Sequence, residues 1–392
     1  MDLLSKAIYN KNKKKRILHV ITSLNGGGAE AMLFKLIKEI DRNEFEISVI
    51  SLLDKGVYGE EMEERLGVDL LVVNLNKPLN FITKFSVILR YFKDSQLIHS
   101  WMYHANIFSF VFSLISKRKL IWGIHHNDFS IRTNKLSTVL MINISKFFSS
   151  KIDKIIYCGD EVKKNHLNYG FSSQNAITIF NGFETEKFNS SHSIDLREKF
   201  KLDLNTRVLI HVGRWDILKG YDVLLEAISL LNPQKYNVKL LLIGKGITTD
   251  NMGLMKLIEE HKVEDRVILL GRREDVPILM ASADYFISSS LSEGFPNVIG
   301  EAMLSETVCV VTDTGDANLL LNKHGFISKV GDPMDLSRNI ESALNLNEEE
   351  YSSKAKESRE LIIQNYSLER ITKLHMNLYK QLICEESKAG EK

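Results

Sequence analysis

Short apolar runs alternate with longer segments whose apolar residues recur every three or four positions, and the alternation holds over most of the chain. The runs at 17–21 (ILHVI), 47–53, 70–73, 97–98, 120–124 (LIWGI), 152–157 and 176–180 read as strands, being short and rich in β-branched residues. Between them, 29–40, 60–66, 81–92, 105–116 and 161–169 read as helices, and Asp160 stands where it could cap the last of these. After a turn at Asn181-Gly182 and a hinge over 183–188 the pattern starts again. Strands are expected near 207–212, 238–243, 266–269, 284–288, 308–311 and 326–328. Helices are expected over 332–345, 350–364 and 366–382, with another begun by Val276-Pro277 and capped by Asp275. Strands alternating with helices predict parallel sheets joined by right-handed crossovers. The expectation is an α/β chain of two Rossmann-like domains, 1–180 and 181–365, followed by a last helix and polar tail over 366–392. Residues 1–13 are expected to be disordered, and ligands are expected in the cleft between the domains.

The loops after the strands hold the candidate chemistry. Residues 288–304, SSSLSEGFPNVIGEAML, leave a strand through serines into Glu293-Gly294. Pro296 suits a first helical position, where its missing N–H costs nothing, so a helix should run on from Asn297 to Leu304. Glu293 then sits in a tight strand-to-helix loop, with Glu301 roughly a turn and a half into the helix. Free N–H groups at the helix start favour an anionic ligand. An acid before a helix is ordinary on its own. Here HVGRWDILKGYDVLLEAI, further upstream, repeats the layout, with Gly213-Arg214 and Lys219-Gly220 in its loop. One loop offers two cations and the other two carboxylates. A sugar nucleotide needs both, cations for its diphosphate and acceptors for its hydroxyls.

The first half offers two further loops. Gly26, Gly27 and Gly28 form a turn between a strand and a helix, which presents backbone N–H groups to a phosphate. Gly26-x-Gly28-x-x-Ala31 fits a loose dinucleotide fingerprint, but no acid ends a second strand about 20 positions on, as nicotinamide dinucleotides require. His125 and His126 follow a central strand, at the end where α/β sheets bind ligands. Zinc is not expected there, because adjacent side chains diverge and no further ligands stand at motif spacing. The competing reading is a pair of loop histidines without a role.

Composition narrows the class. With 392 residues, 44% hydrophobic and 26% charged, the chain suits two soluble globular domains. The apolar run 107–115 is too short to span a bilayer. It reads as a helix packed against the sheet, with membrane contact as the alternative. No signal peptide is apparent, and three scattered cysteines fit a reducing cytoplasm without a cysteine metal site. Net charge is +1, but unevenly placed. Residues 1–180 hold 25 Lys/Arg and 17 Asp/Glu, whereas 181–392 hold 26 and 33. A basic first half suggests an anionic partner such as a lipid diphosphate or a membrane surface. No basic-aromatic stripe points to nucleic acid.

E-x7-E from Glu293 to Glu301, within EGFPNVIGEAM, together with G-R-x4-K-G from Gly213 to Gly220, resembles the retaining glycosyltransferases of family 4, which have the GT-B fold. The resemblance covers residues 16–380; IFNGFETEKF is similar to the family's interdomain signature, and TDTGD at 312–316 also fits. It implies two Rossmann-like domains with parallel sheets facing across a cleft, and a C-terminal helix crossing back to the first domain. The first domain would take the acceptor and the second an NDP-sugar, UDP-linked by expectation. Arg214 and Lys219 would neutralise the leaving diphosphate, beside Gly213. Glu301 would hold the ribose, and Glu293 the donor-sugar hydroxyls with N–H groups of Gly294, Phe295 and Asn297 nearby. The loops of Gly244 and Arg272 would flank the nucleobase. His125, or alternatively His126, would approach the reacting oxygen, and the Gly26–Gly28 loop the acceptor. No Asp-x-Asp ends a cleft strand, so no metal or other cofactor is expected. The acceptor would be a lipid-linked glycan, met in the cytoplasm or peripherally at the inner face of the plasma membrane. The sequence departs from the family at 304–308, LSETV, where relatives usually carry a Gly and a Pro. Two rivals remain: an NAD-dependent oxidoreductase built from two Rossmann units, and a non-catalytic sugar-nucleotide sensor.

Overall fold

The computed structural model describes residues 14–131 and 134–389; the stretch 1–13 lies outside the described residues. The chain divides into two compact units, Met1–Gly182 with Leu368–Lys392, and Phe183–Ser367.

In the first unit β1 (Lys15–Ile21), α1 (Gly28–Glu39), β2 (Phe45–Ser51), α2 (Gly56–Glu64), β3 (Asp69–Val72) and α3 (Pro78–Asp94) lead to β4 (Leu97–Trp101). Then come α4 (Tyr103–Ser116), β5 (Lys119–Ile124), α5 (Leu136–Phe148), β6 (Lys154–Tyr157), α6 (Asp160–Tyr169) and β7 (Ala176–Thr178). The seven strands form one sheet in the order β3-β2-β1-β4-β5-β6-β7, all pairs parallel. In the second unit α7 (Leu196–Phe200), β8 (Arg207–Val212), α8 (Tyr221–Leu230), β9 (Val238–Ile243), α9 (Met252–His261), β10 (Val267–Leu269) and α10 (Val276–Ser282) come first. β11 (Tyr285–Ser288), α11 (Asn297–Leu304), β12 (Val308–Thr312), α12 (Ala317–Leu321), β13 (Phe326–Ser328), α13 (Pro333–Leu344) and α14 (Glu348–Tyr366) complete it. Its sheet runs β10-β9-β8-β11-β12-β13, again parallel throughout. The last helix, α15 (Leu368–Ala389), belongs to the first unit. It buries Ile371, Leu378, Tyr379 and Leu382 against the core that α1 supplies through Met32, Leu33 and Leu36. Each such side chain contributes about 1.5–3 kcal/mol on burial.

In both units the strand order reverses beside the first strand, between β1 and β4 and between β8 and β11. Ligands of open α/β sheets bind outside the carboxyl ends of strands at such a point. The reversal in the second unit therefore falls on the loops that hold Arg214, Lys219 and Glu293.

Several local expectations are corrected. Asp160 does not cap α6; Gly159 holds the cap position, and the Asp160 carboxylate accepts from the Thr178 hydroxyl at 2.6 Å. Asp275 holds the cap position of α10 without a capping hydrogen bond. Its carboxylate is taken by Arg273 at 2.7 and 2.8 Å. Pro296 precedes the helix instead of opening it, since α11 begins at Asn297. Helix α14 starts two residues earlier than expected because Asn347 and Glu350 form a reciprocal capping box. At 304–308, Glu306 adopts a left-handed φ of 59°, the conformation glycine would occupy without strain. Helix α4 packs on the sheet as expected through Ala105, Ser109, Phe110 and Phe112, yet Val111, Leu114 and Ile115 remain exposed. Among the described residues no helix is long and apolar enough to cross a membrane.

Candidate functional site

The second unit builds its site from interlocked strand-end loops. β8 ends at Val212, and the Gly213 carbonyl accepts from the Tyr221 hydroxyl at 2.6 Å. A Cβ on Gly244, at φ +155°, would lie 1.9 Å from the Gly213 oxygen, so only glycine lets these two loops touch. The Arg214 guanidinium donates from Nε and Nη2 to Asp216 Oδ2 at 2.9 and 2.7 Å, and its side chain is 64% exposed. Asp216 also accepts from the Leu218 N–H at 3.0 Å, which caps the single turn that carries Lys219. Asp216 is held below the usual carboxylate range: burial opposes this, and the Leu218 N–H and the Arg214 cation outweigh it.

That turn is fastened to the loop after β11. Ser289 donates its hydroxyl to the Lys219 carbonyl at 2.9 Å, and the Leu291 N–H donates to the Leu218 carbonyl at 2.8 Å. Gly220 has φ +60°, and a Cβ there would lie 2.3 Å from the Ser289 oxygen. The result is a direct ion pair: Lys219 Nζ lies 2.5 Å from Glu293 Oε1, with side chains only 18% and 15% exposed. The Ser290 hydroxyl donates to the same carboxylate oxygen at 2.7 Å. The loop after β12 closes behind, with the Thr312 hydroxyl donating to the Ser290 carbonyl at 2.6 Å. Gly294 and buried Phe295 follow, and the Phe295 ring packs 6.0 Å from those of Phe183 and Tyr366. Asn297 opens α11, and Glu301 stands on it one turn further on, half-buried. The loops after β9 and β10 are joined by the Gly244 N–H donating to the Gly271 carbonyl at 2.8 Å; Arg272 is exposed beside them.

Two side chains near this site went unread in the sequence. His211, the residue before Val212, is fully buried and donates Nδ1–H to the Ile287 carbonyl at 2.9 Å. Burial first, and then the Lys219 charge, pull its pKa down to about 4 against that hydrogen bond, so it braces the Gly213 turn as a neutral ring. Trp215 lies against Gly246 and Gly253 and packs 5.2 Å from the Tyr221 ring. The only sequence signal for either is the strand-end position within HVGRW.

In the first unit the Gly26–Gly28 loop lies beside two carboxylates. Asp54 accepts from the Ser23 hydroxyl and the Asn25 amide, both at 3.0 Å. Glu30 reaches the place where a Gly27 side chain would stand, and its pKa is raised, first by burial and further by Asp54. A phosphate here would meet like charge; hydroxyl groups suit the loop better. His125 and His126 are separated by their partners. The His125 ring stacks on Trp101 at 5.0 Å, and burial pulls its pKa to about 4 despite a hydrogen bond with Asn181. His126 Nε2 pairs with Asn134 Oδ1 at 3.0 Å. Behind His125 lie His19, His99 and His375, all buried and unread in the sequence. The Trp101 indole donates to His19 at 3.1 Å, and His99 pairs with the Tyr379 hydroxyl at 2.7 Å. Among the described residues no group of three or more His, Cys, Asp or Glu side chains is placed to hold a metal ion.

Residues 26–187 match the family described as Glycosyltransferase Family 4, and residues 193–361 match the family described as Glycosyl transferases group 1. The chain belongs to glycosyltransferase family 4. It is a glycosyltransferase of the GT-B fold. The capsular polysaccharide biosynthesis glycosyltransferase CapH of Staphylococcus aureus is 24% identical over 297 residues, 73% of this chain and 78% of CapH. A Campylobacter jejuni N-acetylgalactosaminyltransferase named for a diphospho-undecaprenol acceptor is 30% identical over 148 residues, 37% of each chain. HepE of Anabaena, solved with UDP and glucose, superposes with a TM-score of 0.79 at 21% identity over 94% of this chain and all of HepE, which shows a shared fold.

Proposed function

We propose that this family 4 enzyme retains anomeric configuration as it moves a hexosyl or N-acetylhexosaminyl group from a UDP-sugar to a lipid-linked or growing surface polysaccharide. The observation that carries the reading is the Lys219–Glu293 pair, with Arg214 on the same loop. It brings a cation for the diphosphate and a carboxylate for sugar hydroxyls to one point, at the strand-order reversal where such sheets take ligands. In the reaction the acceptor oxygen bonds to the anomeric carbon and loses its proton. The bond from that carbon to the diphosphate breaks, and the electron pair leaves with the diphosphate. Arg214 and Lys219 stabilise the charge that develops there. Diphosphate competes with Glu293 for the Lys219 ammonium, which releases the carboxylate to the donor sugar. Glu301 holds the ribose. Gly294, Phe295 and Asn297 present N–H groups to the sugar, and Gly244 and Arg272 flank the base. His125, neutral at physiological pH, approaches the reacting oxygen. The Gly26–Gly28 loop, beside Glu30 and Asp54, takes acceptor hydroxyls and not a dinucleotide phosphate.

Two cations on one loop make a metal dispensable, so activity should survive EDTA. The uridine base leans on HepE, which was solved with UDP, and the lipid-linked acceptor on the Campylobacter relative's name. A role in capsular or related surface polysaccharide follows CapH. The enzyme works in the cytoplasm, peripherally at an anionic membrane. A panel of NDP-sugars read by thermal shift tests the donor, since binding only the folded state raises apparent stability. A shift confined to UDP-sugars is expected, and a panel without any shift would sink the reading. NMR of the product's anomeric proton then tests retention.

A further inference from the structure

Half of the large apolar side chains that the described chain exposes fall between residues 79 and 147. All but Ile131 lie on three neighbouring helices. Leu79, Ile82 and Phe85 mark one face of α3, Val111, Leu114 and Ile115 one face of α4, and Leu136, Leu140 and Phe147 one face of α5. Ile82 is 70%, Leu136 77% and Phe147 75% exposed. The helices touch through their inner aromatic rings, Phe92 to Phe112 at 4.9 Å and Phe110 to Phe148 at 4.8 Å. Topology puts them together: the crossovers from β3 to β4, β4 to β5 and β5 to β6 all step the same way across the sheet. Right-handed connections then place all three on one face. The opposite face already carries α1 and α15.

Charge is concentrated on the same stretch. Residues 77–151 hold 11 Lys/Arg and only 2 Asp/Glu, which more than accounts for the basic excess of the first half. Lys77, Lys93, Lys117 and Lys135 are exposed at the ends of these helices. A scattered exposed leucine needs no explanation, but nine exposed apolar side chains on three adjacent helices, with lysines at the helix ends, do.

We infer that the outer face of α3, α4 and α5 docks on an anionic lipid bilayer, with Ile82, Leu114, Leu140 and Phe147 entering the acyl boundary and the lysine rim meeting the headgroups. Helices with an apolar face and a basic rim lie in the membrane interface plane, and the rim is attracted to an anionic leaflet. The inference rests on the lipid-linked acceptor proposed above and adds which surface meets the membrane and how. Its position suits that acceptor. Asn134, the partner of His126, lies two residues before α5, so the histidine loop borders the docking face.

Flotation with the full chain tests it, using vesicles of phosphatidylcholine alone and of phosphatidylcholine with phosphatidylglycerol. Two variants accompany the wild type, one combining Ile82→Ser, Leu114→Ser, Leu140→Ser and Phe147→Ser, the other changing Lys77, Lys93, Lys117 and Lys135 to Gln. Both change exposed side chains, and the NDP-sugar thermal shift reports folding and donor binding in each. Wild type should float with anionic vesicles and keep part of its binding when the Debye length falls from about 10 Å at 0.1 M salt to about 3 Å at 1 M. The serine variant should lose the salt-resistant part, with partitioning at 1 M salt down about tenfold or more. The glutamine variant should lose the salt-sensitive part. If wild type stays at the bottom of the gradient, or the serine variant floats at 1 M salt as wild type does, the docking face is overturned. An intact donor shift in those samples leaves the transferase reading standing; flotation without any donor shift would sink that reading and keep the docking face.

Discussion

The two units repeat one topology and use it differently. Each is a parallel sheet whose strand order reverses beside its first strand. In the second unit the reversal is locked: Gly220 and Gly244 let backbones touch, and Lys219, Ser290 and Glu293 form one hydrogen-bonded set. In the first unit the corresponding region holds a glycine loop with open space beside Gly26, backed by neutral histidines under α15. The same fold thus supports an interlocked set of loops in one copy and a more open glycine loop in the other, to which the proposed function gives the donor and the acceptor. Loops position chemistry, and the sheet only sets where they meet.

The largest expected effect separates the units by acid. Burial foremost draws His19 and His375 to about 3, His125 and His166 to about 4, and His99 well below its ordinary value. All five belong to the first unit, whereas the second holds His211 at about 4 and His324, lowered chiefly by burial. The folded state keeps these rings neutral while the unfolded chain protonates them near 6.5, so the unfolded state binds more protons below that pH. Their contribution is complete above pH 6.5 and falls as pH drops towards 3–4. Hydrogen exchange read peptide by peptide on the full chain should show the first unit opening first below pH 6. Simultaneous opening of both units would break the comparison.

Next come Lys219→Ala and Arg214→Ala, each expected to lower kcat/KM by roughly 10²–10³, as for other charge-stabilising donors. Initial rates on protein of unchanged melting temperature decide this, and wild-type rates would remove that residue from the site. Gly244→Ala tests the locked loops. With its Cβ 1.9 Å from the Gly213 oxygen the loops must part, at a cost of about 2–4 kcal/mol. Denaturant unfolding of the second unit would show it, and an unchanged midpoint would mean the loops are not locked. The smallest effect is a gain. Glu306→Gly relieves a left-handed residue worth about 1–2 kcal/mol and gives up an ion pair with Arg359 at 3.8 Å. A net stabilisation of about 1 kcal/mol should raise the second unit's Tm by a few degrees.

What the sequence determined by itself is the local content. Period and turn residues gave the strand–helix alternation, because burial on a sheet or on one helix face imposes a spacing that can be read without coordinates. The residue types in the strand-end loops, Arg214, Lys219 and Glu293, were legible for the same reason, since a loop after a strand has a predictable place, and helix spacing from Asn297 placed Glu301. Asp160 does not cap its helix and Asp275 makes no capping hydrogen bond because another partner takes each side chain, Thr178 for Asp160 and Arg273 for Asp275, whereas Pro296 stands one position earlier than expected, at the cap. Tertiary structure alone decided the rest. Lys219 and Glu293 are 74 residues apart and meet because β8 and β11 are sheet neighbours. The histidine cluster needs β1, β4, β5 and α15 together, and strand periodicity does not distinguish a buried neutral histidine from an exposed one. The apolar face of α3, α4 and α5 is invisible in the sequence, where Leu114 and Phe112 look alike. Only the packed helices show which of them water still reaches, since exposure belongs to the whole arrangement and not to the residue.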